Sequence, residues 1–150
     1  MNRVEETVDL HKNGGLSCSQ AILTVYGEQY GIDPEKARLL GRTLAGGIAR
    51  QGETCGYVTA AILILGHAQN DKDEAQARKK THPVVMELIR RFKERYGTMM
   101  CKELLGADMS TEEGLKKVLE EKLIAKHCYS EGGIGQHVAE ILETLISISE

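Results

Sequence analysis

Apolar residues recur along the chain at spacings of three and four, and no segment alternates as a half-buried strand would. That pattern predicts an all-α protein. A short first helix runs from Glu5 to Lys12 and stops at Gly14-Gly15. A second opens near Ser17, with Gln20 three residues on in capping-box position and Ala21, Ile22, Val25 and Tyr26 facing inward. Asp33-Pro34 supplies an N-cap and a proline at the first helical position for a third. Its stripe is Ala37, Leu40 and Leu44, and it ends at Gly46-Gly47.

After the loop GGIARQGETCG, Thr54 is the expected cap of a fourth helix whose VTAAILIL core is apolar on every side. A helix of that kind lies at the centre of its fold. Asp73 to Tyr96 reads as one kinked helix or two, because Pro83 removes a hydrogen bond, with Val85, Leu88, Ile89 and Phe92 inward and Gly97 as the stop. Met99 to Leu105 forms a short helix. Ser110 with Glu113 opens another through Leu123, and Gly132-Gly133 precedes a last amphipathic one. The expected architecture is a bundle of six to eight helices in one domain, residues 1–150, around a buried central helix at about 55–67.

Composition narrows the function classes. Apolar residues are 41% and charged residues 27%, which excludes disorder. With no Trp and one Phe, the core must be aliphatic. A net charge of −3 gives no electrostatic ground for a nucleic acid or an anionic membrane. The basic stretches at 78–80 and 90–95 are interleaved with Glu74, Glu87 and Glu94 and read as a solvated helix face. The most apolar run, Val58 to Leu65, is too short to span a bilayer, and MNRVEETVDL carries charges where a leader needs apolar residues. A cytoplasmic location is expected, where cysteines stay reduced.

The chemistry then rests on Cys18, Cys55, Cys101 and Cys128. None forms a CxxC pair. The first three follow glycines and stand where helices begin, a setting whose free N–H groups favour thiolate. Cysteine is also a common small apolar filler, so each taken alone could be core. Cys55 is expected to be the most reactive. It starts the central helix between Gly52 and Gly56, with Arg50 upstream as a local positive charge. The histidines show no ligand spacing, and His127 beside Cys128 is a weak ligand or proton carrier.

The segment GGIARQGETCGYVTAAILILG, with SCSQAIL around Cys18, YGTMMCKELLG around Cys101 and Cys128 before the final helix, resembles the C_GCAxxG_C_C family of redox-active proteins. Tyr57 stands where that pattern has a small residue. The resemblance implies a helical domain with a four-cysteine centre, Cys18, Cys55, Cys101 and Cys128; the loop residues Gly47, Arg50, Gly52 and Gly56 are the candidates to bind a cofactor beside it, since glycines let backbone approach a bulky group. The family is similar to a domain of split-Soret cytochromes, which implies an iron–sulfur cluster, electron transfer of the anaerobic-type metabolism and a redox partner protein. Without CxxCH, covalent c-type haem is not expected.

Four thiolates suit [2Fe–2S] and [4Fe–4S] clusters and also structural zinc. A metal-free thiol–disulfide protein, with Cys55 and Cys101 as redox candidates, is the alternative. A non-catalytic helical module with core cysteines is the third reading. The stripe Ile134, Val138, Ile141, Leu142, Leu145 and Ile148, with Val4 and Val8, points to a homodimer if it stays exposed.

Overall fold

The structure, a computed structural model, describes residues 1–149. Among these it is all-α: α1 (Arg3–Lys12), α2 (Cys18–Gly27), a 3₁₀ turn (Glu28–Tyr30), α3 (Pro34–Gly41), α4 (Gly56–Ala68), α5 (Glu74–Tyr96), α6 (Cys101–Leu105), α7 (Glu112–Glu120), α8 (Leu123–His127) and α9 (Ile134–Ser149). The local signals act as expected where caps decide. Ser17 and Gln20 satisfy each other's backbone N–H groups at the start of α2. Asp33 accepts from the Lys36 N–H at the start of α3. Gly97 ends α5 with a φ of 73°.

Helix α4 is the core of the bundle and packs against α2, α5 and α9. Tyr57, Val58, Ala60, Ala61 and Ile64 are fully buried. The helix is not enclosed all round, however: Ile62 is partly buried and Leu63 is 48% exposed. Its N-cap is Cys55 rather than Thr54. Helix α9 closes the bundle against α4, α1 and α5. It buries Ile134, Val138, Ile141, Leu142 and Leu145, leaving Ile148 exposed. Val4 and Val8 are partly buried. Most of the stripe that pointed to a homodimer is therefore buried within the chain, with Ile148, Val4 and Val8 left wholly or partly uncovered.

Two other expectations, for α3 and for the Ser110–Leu123 helix, are corrected, and of the two readings of Asp73–Tyr96 the single helix holds. Helix α3 ends at Gly41, and its inward face is Ala37 and Gly41, with Leu40 half exposed. Small residues win because α3 lies directly on α2: a β-carbon at Gly41 would stand 2.9 Å from Gln20 Cα. Helix α5 runs unbroken through Pro83, held by buried Leu88 and Phe92 beyond it. The expected Ser110–Leu123 helix starts from Thr111 as its cap and divides at Lys122, whose φ of 52° no longer continues a right-handed helix. Leu105, Met109, Val118 and Leu123 then form a smaller core beside the main one.

Candidate functional site

The four cysteines sit at the seam between these two cores. Cys55 belongs to the main core, with Cys18 packed on it; Cys101 packs on the smaller core, and Cys128 touches both. What gathers them is the loop between α3 and α4. Gly46, Gly47, Ile48, Ala49 and Arg50 all have positive φ, between 49° and 70°. Three of them carry side chains, each at a cost of roughly 1–2 kcal/mol. Backbone hydrogen bonds hold the turn, from Ala49 N–H to Thr43 O (2.8 Å), Gly52 N–H to Gly46 O (3.0 Å) and Glu53 N–H to Gly47 O (2.9 Å).

The same loop is stitched to the start of α6. Cys101 N–H donates to Glu53 O at 2.7 Å, Lys102 N–H to Gly52 O at 3.2 Å, and Cys55 N–H to Met99 O at 2.8 Å. Cys55 and Cys101 are thereby fixed side by side in the chain's path. Close approach needs glycine. A β-carbon at Gly47 would lie 2.5 Å from Glu53 N and 2.8 Å from Cys101 Cβ, and one at Gly56 would lie 2.5 Å from Cys18 Sγ. Cys128 caps the end of α8, and its carbonyl accepts from Gly135 N–H at 2.9 Å, which ties it to α9.

All four are free thiols. Burial pushes each one's pKa up, and for Cys55, Cys101 and Cys128 neighbouring cysteines add to the effect: Cys18 and Cys101 act on Cys55, Cys18 on Cys101, and the other three on Cys128. Cys101 reaches about 11. The helix N-terminus does work on Cys55, through the Val58 and Tyr57 N–H groups, but burial outweighs it. Burial thus works against the thiolate expected at Cys55. Arg50 lines a cavity with Cys18 and Cys128, whose lining does not include Cys55.

Among the described residues, no group of three or more His, Cys, Asp and Glu side chains is close enough to hold one metal ion. A single zinc needs its sulfurs about 2.3 Å from one point, so the thiols as they stand do not fit it. A cluster spreads four thiolates over several irons, two on each in [2Fe–2S] and one on each in [4Fe–4S], so the donors stand further apart than at one zinc. An all-thiol donor set, with Cys55 buried and Cys18, Cys101 and Cys128 partly so, has the chemistry for that group. Beside it the Tyr96 hydroxyl is buried with no hydrogen-bond partner among the described residues, and Cys55 and Cys128 act on it.

Sequence reasoning passed over a second layer. The wholly buried Tyr57 hydroxyl meets His11 Nδ1 at 2.5 Å, and the His11 ring stands edge-on to Tyr57 and Tyr129. Burial lowers the His11 pKa to about 4. Gly135 makes the room, since a β-carbon there would lie 2.6 Å from Tyr57 Cζ. Only the odd residue after Cys-Gly hinted at this. On α5, Arg90 and Arg91 pair with Glu87, and Arg90 also with Glu94.

Residues 16–145 match the family described as "Putative redox-active protein (C_GCAxxG_C_C)", and the chain belongs to that family. Neither a curated protein nor a solved structure matches it. No helix among the described residues is long and apolar enough to cross a membrane.

Proposed function

We propose that this redox-active family member is an electron-transfer protein whose Cys18, Cys55, Cys101 and Cys128 ligate an iron–sulfur cluster. The observation that carries this is the meeting of four chain-distant thiols at the seam between the two cores, where three of them feel the charge of their neighbours. Four neighbouring thiolates, one buried and three partly buried, would repel one another. Metal binding displaces their protons and supplies the missing positive charge. A bound cluster would supply one-electron chemistry.

The chain's own residues do the rest. Gly47 and Gly56 leave room for the cysteines to approach, and Gly52 clamps the start of α6. Tyr57, wholly buried, and His11 form one wall beside the cysteines. The unpartnered Tyr96 hydroxyl is a donor for a thiolate or sulfide, the kind of contact that tunes a potential. Thiol–disulfide exchange is the weaker reading, because raised pKa values leave little attacking thiolate at neutral pH. The resemblance to a split-Soret cytochrome domain belongs to the same proposal, as does a redox partner protein.

The test is the iron and acid-labile sulfide content of chain made and purified without oxygen. About two or about four of each per chain is expected. One zinc per chain, or no metal with a reversible Cys55–Cys101 disulfide, would replace this reading.

A further inference from the structure

A cavity of about 470 Å³ opens over Cys18 and Cys128, a size that suits a small organic molecule. One wall is apolar: Met109, Leu115, Val118, Leu119 and Ile124. Leu119 is 66% exposed at this wall, so apolar surface remains uncovered there. The lining also carries Arg42 and Arg50, and among the described residues no aspartate or glutamate lines the cavity, in a chain of net charge −3. Neither arginine makes an ion pair or a side-chain hydrogen bond among the described residues. Four of the chain's other arginines pair with a carboxylate: Arg3 with Glu143, Arg78 with Glu74, Arg90 and Arg91 with Glu87; Arg95 donates to Gly132 O, and Arg38, away from the cavity, is unpaired among the described residues. Arg50 also ends the run of positive φ, so the costly left-handed backbone presents it on this cavity.

We propose that this cavity binds a small organic anion with an apolar body, its charge between Arg42 and Arg50 and its body against the Met109–Ile124 wall. Guanidinium groups keep their charge at every working pH and favour carboxylate or phosphate oxygens. The anion would then lie beside two of the four cysteines. Its meaning as a redox substrate or effector rests on the cluster reading; the binding itself does not.

Octanoate is the probe, with octan-1-ol as its uncharged counterpart. Both are titrated by calorimetry into the full chain, once reconstituted with iron and sulfide and once metal-free, and NMR of the metal-free chain locates the site. Octanoate is expected to bind at least tenfold more tightly than octan-1-ol and to shift the amides of residues 45–50 and 115–124. Arg42→Gln with Arg50→Gln should weaken octanoate tenfold or more and leave octan-1-ol unchanged. Leu119→Ala, at an exposed position that does not threaten the fold, should weaken both. Equal binding of the two probes, native affinity in the double variant, or shifts elsewhere in the chain overturns the site. If no iron is taken up and octanoate still discriminates, the cluster reading falls and the site stands. If iron is taken up and octanoate does not discriminate, the site alone falls.

Discussion

Cys18 Sγ occupies the place a side chain on residue 56 would need: a β-carbon at Gly56 would stand 2.5 Å from that sulfur and 3.0 Å from Leu44 O. Gly56→Ala must push α2 away from α4 or displace the sulfur. The expected cost is about 1–3 kcal/mol of stability, as for other overpacked sites, with loss of iron uptake. Gly66 in the same helix is the control, since a β-carbon there meets nothing within 4 Å. Gly66→Ala should stabilise by about 1 kcal/mol. Urea unfolding of both variants checks the pair, and equal effects would mean that the Gly56–Cys18 approach is not tight.

Within α4, burial separates neighbouring apolar residues. Ile64 is fully buried, and Leu63 is 48% exposed. Ile64→Asp places an unpaired charge in the core and should unfold the chain. Leu63→Asp should change stability by no more than about 0.5 kcal/mol. Circular dichroism on heating separates the two, and an unfolded Leu63→Asp would show that this face is covered in solution.

His11 gives the fold a pH dependence. Its pKa falls from an ordinary 6.5 to about 4 on burial, so the unfolded chain binds the proton first as pH drops. Stability from this group is complete above about pH 6.5 and declines as pH falls toward 4. The loss is at most about 3 kcal/mol. The urea midpoint of the native chain should drop more steeply over that window than that of His11→Gln. Parallel slopes would show that His11 is hydrated.

In the metal-free chain, alkylation should follow how far each thiol's pKa is raised and not helix position. Cys55 and Cys128 should react most slowly, Cys18 and Cys101 ahead of them, and all four more slowly at pH 8 than the same thiols in urea. Peptide mass spectrometry after timed labelling reads each site. A Cys55 faster than its unfolded counterpart would restore the helix N-terminus as the dominant influence.

These outcomes mark where the sequence was legible. Ser17 with Gln20, Asp33-Pro34 and Gly97 act through contacts within a few residues, so their effect can be read locally. The buried character of α4 also follows from composition alone. The positive φ of Ile48 and Ala49 has no local signal, because hydrogen bonds to Thr43 and Leu44 impose it. The face of α3 depends on how closely α2 approaches Gly41, and the Tyr57–His11 contact joins residues 46 apart. The depth of the thiols is likewise set by both cores together, so sequence gave their identity but not the direction of their pKa values.

The most direct measurement of the four-cysteine centre is iron K-edge X-ray absorption on the anaerobically reconstituted chain and on Cys55→Ser. The native chain should show a first shell of sulfur with a second shell of iron. The variant, still folded by circular dichroism, should lose that iron–iron signal. Iron held by oxygen or nitrogen, or an identical spectrum from Cys55→Ser, would contradict ligation by the converged cysteines.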